Sequence, residues 1–281
     1  FAMFMTALWR KLKPEQTKHS VTTERAYLEI DLNNLEHNVS VLKKAMPKDC
    51  ELMAVVKAEA YGHGTYEIAT HINKIGVKAF AVATIDEGIK LRKYGITGEI
   101  LILGYTAPER AKELCKYNLI QTLIDYEYSI RLNNQGYKVN AHIKIDTGMH
   151  RLGFDKEDVE SIATVFSLKN IKVCGIYTHL CASDSIDEKD VSFTNILDTK
   201  TIKYTEGIPY RLCTFSRVIK EKGIAIPKIH IQSSYGFLNY PELKCNYVRT
   251  GVALYGVLSS PNDKVKLQLD LRPVLSLKAR V

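Results

Sequence analysis

No two of the six cysteines (Cys50, Cys115, Cys174, Cys181, Cys213 and Cys245) stand in a CxxC pair. That spacing signals neither a zinc site nor a disulfide framework, and reduced thiols in a cytoplasmic setting are the expectation. A basic stripe interleaved with aromatics is missing too. The 281 residues carry a net charge of +8 and a pI near 9.0, yet the basic residues are spread among acidic ones. This describes a solvated mixed-charge surface, not a nucleic-acid face. The apolar opening "FAMFMTALW" is too short to cross a bilayer. No GxGxxG follows the first strand-like runs, which weighs against a doubly wound dinucleotide fold.

What is present is an alternation. "RAYLEIDL" reads as a strand, and "NNLEHNVSVLKKAMP" as a helix capped by Asn33 or Asn34, with Leu35, Val39 and Leu42 on one stripe. The runs "LMAVVKA", "AFAVATI", "EILILGY", "LIQTLI", "VNAHIKID", "KVCGIYTHL", "KIHIQSS" and "YVRTGVALYG" follow as strand candidates. Most are nearly continuously apolar, as strands covered on both faces are. Helical text such as "GTYEIATHINKIG", "IDEGIKLRKYG", "APERAKELCKYN" and "KEDVESIATVFSLKN" lies between them. The expected fold is therefore α/β, a (β/α)8 TIM barrel over residues 25–257. Residues 258–281 open a β-rich C-terminal domain, and residues 1–24 form a membrane-proximal tail. There Arg10, Lys11 and Lys13 follow an apolar end, like the cytoplasmic exit of a transmembrane helix upstream of residue 1. A frayed tail or cloning remnant gives the same text; Trp9 at the junction favours the membrane. Residues 195–217 fit no element, because Gly207 and Pro209 interrupt them.

Barrel chemistry gathers at the C-terminal ends of strands. Those ends bear Lys57 and Tyr61, then Lys144 and Arg151, His179, Ser233 and Ser234, and finally Arg249 and Gly251. A lysine desolvated at a barrel mouth becomes an amine nucleophile suited to a Schiff base. Ser234 beside the Gly251 amides matches a barrel phosphate site. A lysine for an aldehyde and a cradle for a phosphate point to pyridoxal 5'-phosphate.

"AVVKAEAYGHG" resembles the pyridoxal-phosphate motif of the alanine racemase family, and "KIDTGMHRLG", "GIYTHL" and "VRTGVALYGV" are similar to later segments in that family's order. The basic, apolar-flanked N-terminus resembles the membrane-anchored serine/alanine racemases linked to vancomycin resistance. The resemblance implies a cytoplasmic catalytic domain at the cell membrane, in a homodimer that makes D-amino acids for peptidoglycan precursors. It implies that Lys57 holds the cofactor and serves as base on one face of the substrate Cα. Tyr61, Ser234, Gly251 and Val252 would contact the phosphate, and His179 would orient Arg249. Arg249 would face the pyridine nitrogen and, being unable to give up a proton, keep the ring a poorer electron sink. Arg151 would sit by the phenolic oxygen. Lys144 matches a position carbamylated in many relatives, where the anion would hold Arg151. The opposite base in the family is a tyrosine of the second domain, reaching into the partner's site, so no residue here is assigned to it.

Each residue has a blander reading. A strand-end lysine is usually a snorkelling surface residue. A lone histidine such as His179 is usually a satisfied core residue, Arg151 and Arg249 could be surface ion pairs, Ser234 a helix cap, and His63 a turn former. Glu59 and "QSS" depart from the family's usual Asn and "NSA", which implies an altered substrate preference. A decarboxylase on the same cofactor, a non-catalytic cofactor carrier and a truncated inactive barrel are the rival readings.

Overall fold

The computed structural model describes residues 25–155, 158–184, 223, 227–241, 243–260 and 262–280. The residues 1–24 and 195–217 singled out above lie outside them. Strand β1 (Ala26–Ile30) leads into helix α1 (Leu32–Ala45). Next come β2 (Glu51–Val55), α2 (Thr65–Lys74), β3 (Ala79–Val82), α3 (Ile85–Lys93), β4 (Glu99–Ile102) and α4 (Ala111–Lys116). Then follow β5 (Ile120–Leu123), α5 (Tyr126–Asn133), β6 (Val139–Asp146), β7 (Phe154–Asp155), α6 (Val159–Val165) and β8 (Ile171–Tyr177). The described chain continues with β9 (Lys228–His230), α7 (Ser234–Asn239), β10 (Tyr247–Thr250) and β11 (Leu275–Ala279).

The eight strands expected from the apolar runs all form, in the parallel order β10-β2-β3-β4-β5-β6-β8-β9. Between β9 and β10 the ring is bridged by Asn246 N to Ile229 O at 2.7 Å and Arg249 N to Gln232 O at 3.1 Å. The Asn246 side chain adds a bond from Ile229 N at 2.7 Å. Strand alternation sorts the residues into two sets. Ala54, Phe80, Val82, Ile100, Ile102, Ile143 and Val248 pack outward in one core cluster with the helices, whereas Met53, Val55, Ala79, Ala81, Leu101, Tyr177 and Tyr247 form another.

Local chemistry differs from expectation at three places. Asp31, not Asn33 or Asn34, caps α1; its carboxylate accepts from both of those backbone amides. The strand "RAYLEIDL" lies outside the barrel and pairs antiparallel with β11. The run "KIHIQSS" ends its strand at His230 and turns into α7. Among the described residues, no helix is long and apolar enough to cross a membrane.

Gly98 shows how tightly strand entries are seated. It has φ +92°, and a Cβ there would stand 2.1 Å from Lys78 O. Gly95, at φ +82°, has open space around its Cβ position. Both Gly→Ala changes strain the backbone, by about 1 kcal/mol. Gly98→Ala also displaces the β3 entry, so a loss of at least about 2 kcal/mol more is expected from paired urea titrations of the two variants.

Candidate active site

The motif "KAEAYGHG" folds into an unusual turn. Ala58, Glu59, Ala60 and Tyr61 all have φ between 51° and 54°. Four successive left-handed non-glycine residues cost about 1–2 kcal/mol each. The surroundings hold them there. Glu87, whose carboxylate completes the capping box of α3, also accepts from Ala58 N at 2.8 Å and Ala83 N at 2.6 Å. Glu59 pairs with Lys90 at 2.5 Å and accepts from Thr65 Oγ1 at 3.0 Å. Burial works against the Glu59 charge, but Lys90 and Thr65 outweigh it and hold the carboxyl below its ordinary value. His63 Nδ1 donates to Ala60 O at 2.9 Å, and its ring stacks on Tyr255. It forms the turn, as expected.

This turn delivers Lys57 and Tyr61 to a cavity of about 470 Å³ at the barrel mouth. All nine residues singled out from sequence line it: Lys57, Tyr61, Lys144, Arg151, His179, Ser234, Arg249, Gly251 and Val252. Of the departures from the family pattern, Ser234, which stands where "NSA" has alanine, lines it, and Glu59 and Gln232 do not. Glu59 turns toward Lys90, and Gln232 is buried with Nε2 donating to Tyr240 O at 2.6 Å. Neither side chain lines the cavity.

One wall is a hydroxyl cradle. Ser234 Oγ accepts from Gly251 N at 3.0 Å and Ala253 N at 3.2 Å. Ser233, not Ser234, caps α7, through Gly236 N. With its lone pairs engaged by two amides, the Ser234 hydroxyl has its proton to give to another acceptor. Opposite it, a Cβ on Gly251 would lie 2.7 Å from Tyr61 Oη. Only glycine lets that phenol close over the backbone.

The floor is a buried cation. Arg249 is 4% exposed. Its Nη2 donates to Thr178 O at 2.6 Å and Ile231 O at 3.1 Å, and its Nη1 to His230 Nδ1 at 2.8 Å. Tyr177 lies under it, 5.1 Å from ring centroid to guanidinium carbon. Burial lowers its pKa to about 10, so it is still charged near neutral pH. His179 Nδ1 also meets its Nη2, at 3.5 Å, a longer contact than that of His230. Burial and the Arg249 charge push His179 down to about 3, which keeps it neutral. Lys144 is buried, its Nζ donating to Ile145 O and Leu152 O at 3.2 and 3.3 Å. Burial and Arg249 push its ammonium down to about 8. Arg151 is exposed on the rim.

Sequence reasoning missed His230 and His142. Because the guanidinium only donates, His230 Nδ1 accepts and its Nε2–H donates to His142 Nδ1 at 2.9 Å. That leaves the His142 proton on Nε2, which is buried without a hydrogen-bond partner among the described residues. The ring is pressed against Gly175, where a Cβ would come within 2.6 Å of it. The signal lay in strand alternation: His142 stands two before Lys144 on β6.

Both histidines are buried neutral, His230 far below its ordinary value and His142 down to about 4, burial being the main cause for each. Between pH 6.5 and 4 the unfolded chain therefore binds protons that the folded barrel refuses, and stability falls as pH falls. Urea midpoints across that window should show His142 contributing a loss of about 3 kcal/mol, and His142→Gln should flatten the slope by a comparable amount.

A family profile described as alanine racemase, N-terminal domain, matches residues 30–259. An amino-acid racemase of Enterococcus faecalis is 60% identical over 280 residues, covering 100% of this chain and 38% of its own length. A serine/alanine racemase of Enterococcus gallinarum is 37% identical, covering 98% of this chain and again 38% of the relative. The chain thus spans well under half of these relatives. In solved structures, alanine racemase of Clostridium difficile 630 in complex with cycloserine superimposes with a TM-score of 0.80 at 31% identity, covering 92% of this chain and 68% of that one. The parallel barrel, its strand-end residues and these matches agree: the chain belongs to the alanine racemase N-terminal domain family.

Proposed function

We propose that this barrel is the cofactor-binding part of a pyridoxal-phosphate-dependent amino-acid racemase that interconverts the L and D forms of alanine or serine. The observation that carries this reading is one cavity holding an amine at Lys57, a hydroxyl cradle at Tyr61 and Ser234, and a buried guanidinium at Arg249. Family members depend on pyridoxal phosphate, and the residues present fit it. Ser234 has its proton to offer a phosphate. Gly251 gives Tyr61 room to close on the same side. Arg249 has five N–H donors, of which His230, Thr178 and Ile231 take three. A pyridine nitrogen can accept from the remainder.

Lys57 would hold the cofactor's aldehyde carbon through Nζ, and Tyr61, Ser234, Gly251 and Val252 would hold its phosphate. When bound, the cofactor withdraws electrons from the amino acid's Cα and acidifies its hydrogen. Lys57 Nζ would take or return that proton on one face of the substrate Cα. Arg249 would hold the ring nitrogen without giving it a proton, which would temper the electron sink and suppress side reactions such as transamination. A decarboxylase of this barrel type would want a carboxylate at that position. Lys144, with its ammonium lowered, is suited to carbamylation, and the anion would hold Arg151 at the phenolic oxygen. A base for the opposite face is assigned outside this barrel, to the partner subunit of a homodimer.

The branch is also part of the proposal. Arg10, Lys11 and Lys13 behind "FAMFMTALW" support a membrane anchor upstream, with this domain on the cytoplasmic face. The name of the Enterococcus gallinarum relative, a serine/alanine racemase, supports serine alongside alanine as substrate. D-amino acids supplied there would enter peptidoglycan precursors, which is where a link to vancomycin resistance would arise.

Borohydride reduction of the cofactor-loaded protein followed by peptide mapping should label Lys57; a label on any other lysine sinks the assignment. Chiral chromatography of the intact protein with L-alanine and L-serine should show the D form, whereas released carbon dioxide would indicate decarboxylation. Lys57→Ala should lower turnover by at least about 10³-fold. Gly251→Ala, which pushes only the tip of Tyr61, should leave the fold intact and weaken cofactor affinity roughly tenfold, or about 1.4 kcal/mol, in a fluorescence titration.

A further inference from the structure

Two cysteines that no spacing rule paired meet at the base of the barrel, away from the cavity just described. Cys50 immediately precedes β2, and Cys245 lies just ahead of β10. These strands are neighbours, with Tyr247 beside Glu51, and Glu51 N donates to Asn246 O at 2.9 Å to fix their entries. The two sulfurs are 3.7 Å apart, and both residues are half-buried. A disulfide needs about 2.0 Å between sulfurs, a closure within reach of side-chain rotation between adjacent strands. The shared hydrogen bond sets the two thiols apart: with burial it pushes Cys50 up, and with the Arg249 charge it holds Cys245 below its ordinary value.

A second feature lies against the pair. A recess of about 450 Å³ is lined by Cys50 together with Lys43, Lys44, Lys48 and Lys78, with Glu51 the one carboxylate among its lining residues. Four ammonium groups against one carboxylate favour an anionic visitor, and Cys50 is the sulfur that visitor meets. The barrel mouth contributes none of these residues.

We propose that Cys50 and Cys245 form a thiol–disulfide exchange site for small, carboxylate-bearing disulfides. Either sulfur can be the donor of the S–H···S contact, so once the pair has lost one proton to solvent, Cys50 carries the thiolate whenever Cys245 keeps the remaining proton. That thiolate attacks one sulfur of the visitor, the visitor's S–S bond breaks, and one small thiolate leaves. Cys245 then attacks the mixed disulfide, expels the second small thiolate and closes the Cys50–Cys245 bond. One released thiolate takes the proton that Cys245 kept, and the other takes one from solvent in place of the proton lost when the pair ionised. The protein pair gives up two electrons, and the small disulfide takes them.

The cofactor-loaded protein is incubated with glutathione disulfide or with neutral hydroxyethyl disulfide, quenched by alkylation and mapped by mass spectrometry. The expected product is a Cys50–Cys245 cross-linked peptide. It should form on the order of tenfold faster with glutathione disulfide at low ionic strength, and the advantage should vanish in about 1 M salt, where screening acts over about 3 Å. Cys245→Ser should trap a mixed disulfide on Cys50, and Lys48→Glu should slow glutathione disulfide while sparing the neutral reagent. Modification confined to the exposed Cys115, with no cross-link, would overturn the pair. Equal rates for the two reagents would overturn the role of the recess.

Discussion

The site is organised around a buried positive charge. Removing a guanidinium from water costs several kcal/mol even after relaxation, and Arg249 recovers that from neutral groups: two carbonyls, a histidine nitrogen and the face of a tyrosine. This choice governs its neighbours. A neutral partner leaves the full charge acting on the cavity, so burial beside Arg249 keeps His179 uncharged and brings the Lys144 ammonium within reach of neutral pH. It also divides the barrel interior. β2 to β4 point Met53, Val55, Ala79, Ala81 and Leu101 inward. The buried histidine, lysine and arginine side chains of the ring, His142, Lys144, His230 and Arg249, stand on β6, β9 and β10. One side of the ring supplies packing and the other supplies acceptors for the charge.

The opposite wall is governed by strain instead. Four left-handed residues are unfavourable alone, and nothing in Ala58 or Ala60 prefers that conformation. The turn persists because Glu87 and Glu59 tie it to the helix following β3. A chain held this way has few alternative conformations, which keeps Lys57 and Tyr61 in a fixed relation to Ser234 and Gly251.

The barrel was legible because parallel strands covered on both faces write themselves as apolar runs, and eight such runs leave few architectures. The site residues were legible for the same reason: once strand ends are known, polar residues there share a rim. Side-chain direction within the turn was not legible. Glu59 and Gln232 sit beside cavity residues in sequence but face away from it, because a left-handed turn and the start of a helix redirect what a strand would have alternated. Nor could capping be read to the residue. Asp31 and Ser233 each stand within two positions of the expected cap, and only backbone dihedrals separate such candidates. His142 and His230 were passed over because a histidine inside an apolar strand resembles any satisfied core residue.

The pairing of β1 with β11 joins the first and last described strands, and Arg280 N donates to Arg25 O at 2.8 Å. The polypeptide therefore enters and leaves this unit through one doorway. Such a unit can be spliced into a longer chain, or circularly permuted, without stretching its frame. A tug on either flank is borne first by the two-stranded ribbon, while the ring that carries the chemistry keeps its shape.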